Sequence, residues 1–92
     1  MKNLRIPTKQ LLAIGFTKKV SKGDKLNKPR TYYEIPSMNG AFYYNPKEAT
    51  HVWYHRTTVG EHSNHVNLSI PSAPVLFTVL QAFGVKFNLV IL

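Results

Sequence analysis

The stretch TYYEIPSMNGAFYYNPKEATHVWYHRTTVGEHSNHVNLSI, residues 31 to 70, decides the fold. It contains four short runs rich in aromatic and β-branched residues: TYYEI (31–35), AFYYN (41–45), HVWYHRT (51–57) and HVNLSI (65–70). They recur at roughly ten-residue intervals between turn-forming residues, the pattern of an antiparallel meander. Upstream, a short amphipathic helix follows Pro7, with Thr8 as its predicted N-cap, Leu11, Leu12 and Ile14 as its apolar stripe, and Gly15 as its stop. Downstream, PSAP (71–74) opens a second helix capped by Ser72, and Val75, Leu76, Val79, Leu80 and Phe83 make it apolar on most sides. The tail VKFNLVIL (85–92) alternates apolar residues with Lys86 and Asn88 and reads as a further strand. The expected fold is α+β in one domain spanning 1–92: a short N-terminal helix, a four-stranded antiparallel meander, a buried second helix and a C-terminal fifth strand.

Pairing can be worked out from the turns. Asn39-Gly40 is the strongest hairpin signal, and a two-residue turn there sets Ile35 opposite Tyr44 and Glu34 opposite Asn45. Ile35, Phe42 and Tyr44 then share the inner face, which Val66, Leu68 and Ile70 must also join. If Val52 and Tyr54 point inward too, an odd-numbered turn centred on Gly60 pairs Tyr54 with Val66, Trp53 with Asn67 and His55 with His65. The outer face then carries Tyr32, Tyr43, Trp53, His51, His55, His65, Asn67 and Ser69. The third run is the pivot of this assignment, because an inward Trp53 reverses it. The predicted core comprises Leu11, Ile14, Phe16, Ile35, Phe42, Val66, Leu68, Leu76, Leu80 and Phe83.

Charge is distributed very unevenly. Residues 1 to 30 hold nine of the twelve Lys and Arg, whereas Lys47, Arg56 and Lys86 are balanced downstream by Glu34, Glu48 and Glu61, so the net charge of +8 is N-terminal. Six of the bases lie in KKVSKGDKLNKPR (18–30), which lacks apolar periodicity and carries Gly23, Asp24, Asn27 and Pro29, and is expected to be a basic loop. Such an excess implies an anionic partner, either nucleic acid or an acidic protein surface. The chain has no cysteine, which excludes a disulfide scaffold, thiolate zinc sites and thiol catalysis and fits a reducing compartment. The apolar stretches near 73–85 and 89–92 are too short to span a bilayer, and the first ten residues lack a secretory apolar core; a cytoplasmic location without membrane contact is expected.

Aromatic side chains on a sheet face beside a basic loop point to single-stranded RNA or DNA. Bases stack on the rings, and Lys and Arg neutralise phosphates. The expected contacts are a stacking pair, Tyr43 and Trp53, and the cations Lys18, Lys19, Lys22, Lys25, Lys28 and Arg30. Four histidines within fifteen residues (His51, His55, His62, His65) raise other chemistry. On a strand, His51 and His55 stand roughly 13 Å apart, too far to share an ion, and no third ligand has a defining spacing; neither a metal nor a cofactor is expected. A cross-strand His55/His65 pair near Arg56 has the parts of a metal-independent ribonuclease, one imidazole taking the 2′-hydroxyl proton and the other protonating the leaving oxygen. These two histidines are the candidates for catalysis, and no motif in the chain amounts to an enzyme signature.

The helix, three-strand, helix order with a basic surface is similar to that of double-stranded-RNA-binding domains and of the small toxin ribonucleases that share their fold. The first family places lysines at the start of its second helix and the second a histidine on its first strand; this chain has PSAPVLF and TYYEI there, so it is assigned to neither. The opposing reading is a protein-interaction module, such as a phage or mobile-element inhibitor of a host nucleic-acid enzyme in the manner of anti-CRISPR proteins. Exposed Tyr and Trp supply contact area at low entropic cost. In either reading, the C-terminal strand at a sheet edge would offer a route to a homodimer by strand addition.

Overall fold

The computed structural model describes residues 3–23, 25–26, 28–47 and 52–92. The elements follow the order α1 (Thr8–Ile14), β1 (Thr17–Ser21), β2 (Arg30–Ser37), β3 (Gly40–Tyr44), β4 (Trp53–Val59), β5 (His62–Leu68) and α2 (Ala73–Ala82). The strands form one antiparallel sheet in the order β1-β2-β3-β4-β5. The fold is α+β as expected, but the fifth strand lies at the other end of the chain. TKKVS is β1, although its last four residues fall in the expected basic loop, and it pairs along its whole length with β2. All five of its residues are exposed, so it is held by backbone pairing rather than by burial.

The tail from Val85 to Leu92 forms no strand. Gly84, at φ 71°, turns the chain back from α2, and the tail then packs on the two helices. The Asn88 backbone N–H donates to the Ile14 carbonyl at 2.9 Å, its side-chain amide donates to the Ala13 carbonyl at 3.3 Å, and Phe87 stacks on Phe77 with centroids 5.5 Å apart. Its alternation of apolar residues therefore records contact with helices, and strand addition through a C-terminal β-strand is not available.

Two turns fix the faces of the sheet. In the first hairpin the two-residue turn is Met38-Asn39, with Ser37 opposite Gly40 and Ile35 opposite Phe42. Asn39 takes the left-handed φ of 66°. Gly40 serves a different purpose: a Cβ there would lie 1.9 Å from the Arg56 carbonyl oxygen, so β3 and β4 approach too closely for a side chain. This pairing is displaced by two residues from the one expected, which preserves both faces. The second hairpin has an even turn, Gly60-Glu61, with Val59 opposite His62 and Gly60 at φ 61°. That single change of parity reverses β4. His55 now faces Val66, Arg56 faces His65, and Trp53 faces Leu68.

The face that carries Tyr33, Ile35, Phe42, Tyr44 and Trp53 packs in one core with Leu11 and Ile14 of α1, Leu76 and Leu80 of α2, and the flanking Ile6, Phe16, Ile70 and Val85. Thr8 is the first helical residue of α1 and not its cap; Pro7 occupies the cap position, and the Thr8 hydroxyl is hydrogen-bonded to the Tyr33 phenol at 2.6 Å. The segment before α1 straps over the aromatics. Trp53 Nε1 donates to the Leu4 carbonyl at 3.0 Å, and the Ile6 N–H donates to the Tyr44 hydroxyl at 3.0 Å. Each such fully buried apolar side chain contributes about 1.5–3 kcal/mol by leaving water. The cover reaches β5 only at Leu68, which is partly buried against the core. Val66, expected in the core, lies on the covered side of the sheet but beyond the helices and is 49% exposed.

Candidate functional site

Every strand residue next to a buried one points to the opposite face, and the two helices contribute their buried residues to the other side. On this open face the strand register brings Tyr32, Tyr43, Tyr54 and His65 into a diagonal run across β2, β3, β4 and β5. Their ring centroids step by 5.9, 4.9 and 4.4 Å. Tyr43 and Tyr54 lie within 15° of parallel and are in stacking contact, whereas Tyr32 and Tyr43 are inclined at 53°. Arg56, directly opposite His65, reaches Ser63 through Nη2 at 3.5 Å. The four rings, Arg56 and Ser63 line a shallow cleft of about 400 Å³.

Charge on this face is arranged around the rings. Lys19 stands directly opposite Tyr32. Arg30 precedes Tyr32 by two residues on the same face. Glu34, directly opposite Tyr43, accepts a hydrogen bond from its phenol. Partial burial, reinforced by the Glu34 charge and hydrogen bond and opposed by Arg56, pushes the Tyr43 phenol up to about 12, so it stays a hydrogen-bond donor throughout the neutral range.

The sequence-predicted site residues divide sharply. Tyr43 is on the open face. Trp53, its expected stacking partner, is 0% exposed in the core and cannot meet a ligand; the even turn at Gly60-Glu61 gives its place to Tyr54. Lys19 and Arg30 flank the ring run, Lys18 points to the covered side of the sheet but is exposed, and Lys22, Lys25 and Lys28 are exposed in the connection between β1 and β2. His55 is also misassigned. It is 2% exposed on the covered face, stacked on Phe83 at 4.2 Å, with Nε2 2.6 Å from the Ser37 hydroxyl and Nδ1 3.1 Å from the Thr57 hydroxyl. His65 is on the opposite face, so the acid/base pair expected of a ribonuclease is not formed. His51 lies outside the described residues. Among the described residues no three His, Cys, Asp or Glu side chains converge as metal ligands, and no helix is long and apolar enough to cross a membrane.

Tyr32, Tyr54 and Glu34 are functional candidates that the sequence reading missed as site residues, and Arg56, expected beside a His55/His65 pair, borders the ring run instead. One signal was available for β4. Pointing Val52 and Tyr54 inward also turns Arg56 toward the core, where an unpaired guanidinium is costly; the opposite phase puts it in water. No protein-family model matches the chain, and no curated protein and no solved structure matches it.

Proposed function

We propose that this protein binds single-stranded nucleic acid on the open face of its sheet. The observation that carries the reading is the run Tyr32, Tyr43, Tyr54 and His65, left uncovered by the helices and bordered by Lys19, Arg30 and Arg56. Aromatic platforms of this kind hold bases with little sequence preference, while cations track the backbone. The net charge of +8, concentrated in the first thirty residues, supplies the long-range attraction. The exposed Lys22, Lys25 and Lys28 extend the cationic surface past the end of the β1–β2 ladder. The proposed contacts are thus Lys19, Lys22, Lys25, Lys28, Arg30 and Arg56 for phosphates, with Tyr43 and Tyr54 in place of Tyr43 and Trp53 for the bases; Lys18, on the covered side of the sheet, is left out.

The test is fluorescence anisotropy with labelled single-stranded RNA, single-stranded DNA and duplex over a range of salt. Single strands should bind more tightly than duplex, whose bases are not available for stacking. If three to five phosphates are neutralised, log K should fall with log salt at a slope of about −2 to −3.5, at roughly −0.7 per phosphate. Absence of binding to every form at low salt would defeat the proposal and turn attention to an acidic protein partner for the same cations.

A further inference from the structure

The open face carries one feature that a surface for polyanions should avoid. Glu34 is the only carboxylate among the residues of the five strands, and it sits at the Tyr32 end of the ring run, opposite Tyr43 and two residues from Tyr32 on the same face. Near phosphates it is repulsive. An acceptor-only group in that position is useful if it meets a donor, and the donors a single strand offers are on the edges of its bases.

The ring geometry says where a base would enter. Sandwiching a base between two rings needs roughly 7 Å between them, twice the contact distance of carbon atoms. Tyr43 and Tyr54, parallel at 4.9 Å, leave no such space, and neither do Tyr54 and His65 at 4.4 Å. Tyr32 and Tyr43, at 5.9 Å, are also too close to take a base between them, but their 53° inclination leaves Tyr32, the end ring of the run, unstacked on Tyr43, so it is the ring on which a base can stack without parting a pair. Lys19 and Arg30 stand beside Tyr32, placed for the phosphates of the stacked nucleotide. Glu34 is beside both rings, and although the Tyr43 phenol uses one of its acceptor positions, an ionised carboxylate has about four.

Resting on the single-strand reading above, we propose that the Tyr32 end of the ring run, beside Tyr43, is a guanine-preferring base site in which the Glu34 carboxylate accepts from the base. Guanine presents two adjacent donors, N1–H and the N2 amino group, to a single carboxylate. Adenine and cytosine offer one amino group each, and uracil one imino N–H. The preference therefore follows from donor count and spacing and needs no other contact.

The experiment measures anisotropy of labelled U-rich single-stranded RNA octamers with one central G, A, C or U, a design that avoids G-quadruplexes. The G octamer should bind about 5- to 30-fold more tightly than the all-U octamer, as expected for one bidentate contact at a partly exposed site. Two analogues probe the edge directly. 7-Deazaguanine keeps N1–H and the amino group and should bind like guanine, whereas inosine lacks the amino group and should lose most of the preference. Glu34→Gln should bring all octamers to similar affinity while circular dichroism and the melting temperature stay near wild type, because the side chain is only half-buried. Equal binding of all four octamers, or a guanine preference that survives Glu34→Gln, overturns the base site and leaves general single-strand binding intact. Failure of every octamer to bind at low salt overturns both.

Discussion

The two faces of this sheet use the same kinds of side chain for opposite ends. Tyr43 and Tyr44 are consecutive, as are Trp53 and Tyr54, and in each pair one ring is sealed in the core while the other helps line the open cleft. On the covered face Tyr44 and Trp53 lie 4.2 Å apart, under the strap that receives the indole N–H and donates to the Tyr44 hydroxyl. On the open face Tyr43 and Tyr54 stack at 4.9 Å with no such cover. An aromatic pair alone is therefore ambiguous between core and binding surface. What separates the roles is where the polar atom of each ring is paired: Tyr44 and Trp53 meet backbone of the strap that buries them, whereas Tyr43 donates to Glu34 on the same open face and needs no cover, because a buried donor or acceptor must be paired and an exposed one has water.

The largest effect should come from cutting the covered side of that comparison. Trp53→Ala removes a fully buried indole and its hydrogen bond to Leu4, and should destabilise the domain by about 3–5 kcal/mol. Urea titration checks this, with a midpoint shift at constant slope as the expected signature. A folded Trp53→Ala variant of near wild-type stability would show that the two faces are not distinguished as described.

Tyr54→Ala is the matched cut on the open side. It should cost at most about 1 kcal/mol of stability by removing the cross-strand ring stacking with Tyr43, yet lower affinity for single strands by roughly 1–3 kcal/mol. The salt slope should not change, since stacking releases no counterions. If Tyr54→Ala unfolds the domain, or leaves affinity untouched while folded, the open face has no stacking role.

How much of this contrast was readable in advance depends on the strand. In TYYEI and AFYYN the inner residues Ile35 and Phe42 are more apolar than their neighbours, so the phase of β2 and β3 follows from the pattern, and a displacement of two residues in the hairpin leaves it untouched. HVWYHRT is apolar in both phases, Val52 with Tyr54 against Trp53 with His55, and the choice fell to the length of a turn whose glycine permits either answer. β1 was not legible, because TKKVS has no buried residue; an edge strand of this sort takes its conformation from the backbone of its neighbour. The tail misled for the opposite reason. Val85 and Phe87 alternate as a strand would, but they contact helices, and a period of two over so few residues does not identify the surface it packs on.

The cations sharpen the same comparison from the edge of the open face. Replacing Lys22, Lys25 and Lys28 together by Ala should reduce the salt slope by up to about 2, at roughly 0.7 for each phosphate no longer neutralised, and leave urea stability near wild type because all three are exposed. An unchanged slope would confine binding to the sheet face itself, with Lys19, Arg30 and Arg56 as its only cationic contacts among those proposed.

The smallest effect is expected from pH, and it probes the covered face through His55, the one buried histidine among the described residues. Both ring nitrogens of His55 are within hydrogen-bond distance of hydroxyls, Ser37 at Nε2 and Thr57 at Nδ1, which satisfy a neutral imidazole in either tautomer. Burial disfavours the imidazolium and lowers the His55 pKa below its ordinary 6.5. The unfolded chain therefore takes up a proton at this residue at a pH where the folded chain does not. In that window the unfolded state binds more protons, so stability rises with pH. The contribution is complete above about pH 6.5, the reference value for the unfolded side chain, and declines as pH falls below it until the folded-state imidazole also protonates. Urea midpoints measured at intervals between pH 7.5 and pH 5 should fall for the wild type and fall less for His55→Gln, whose amide cannot titrate. Both chains keep Glu34, Glu61 and the other histidines, so the difference between the two curves isolates this residue. Parallel curves would mean that His55 is protonated as readily in the fold as in the open chain, and that the covered face is wetter at its β4 edge than its contacts with Phe42 and Phe83 imply.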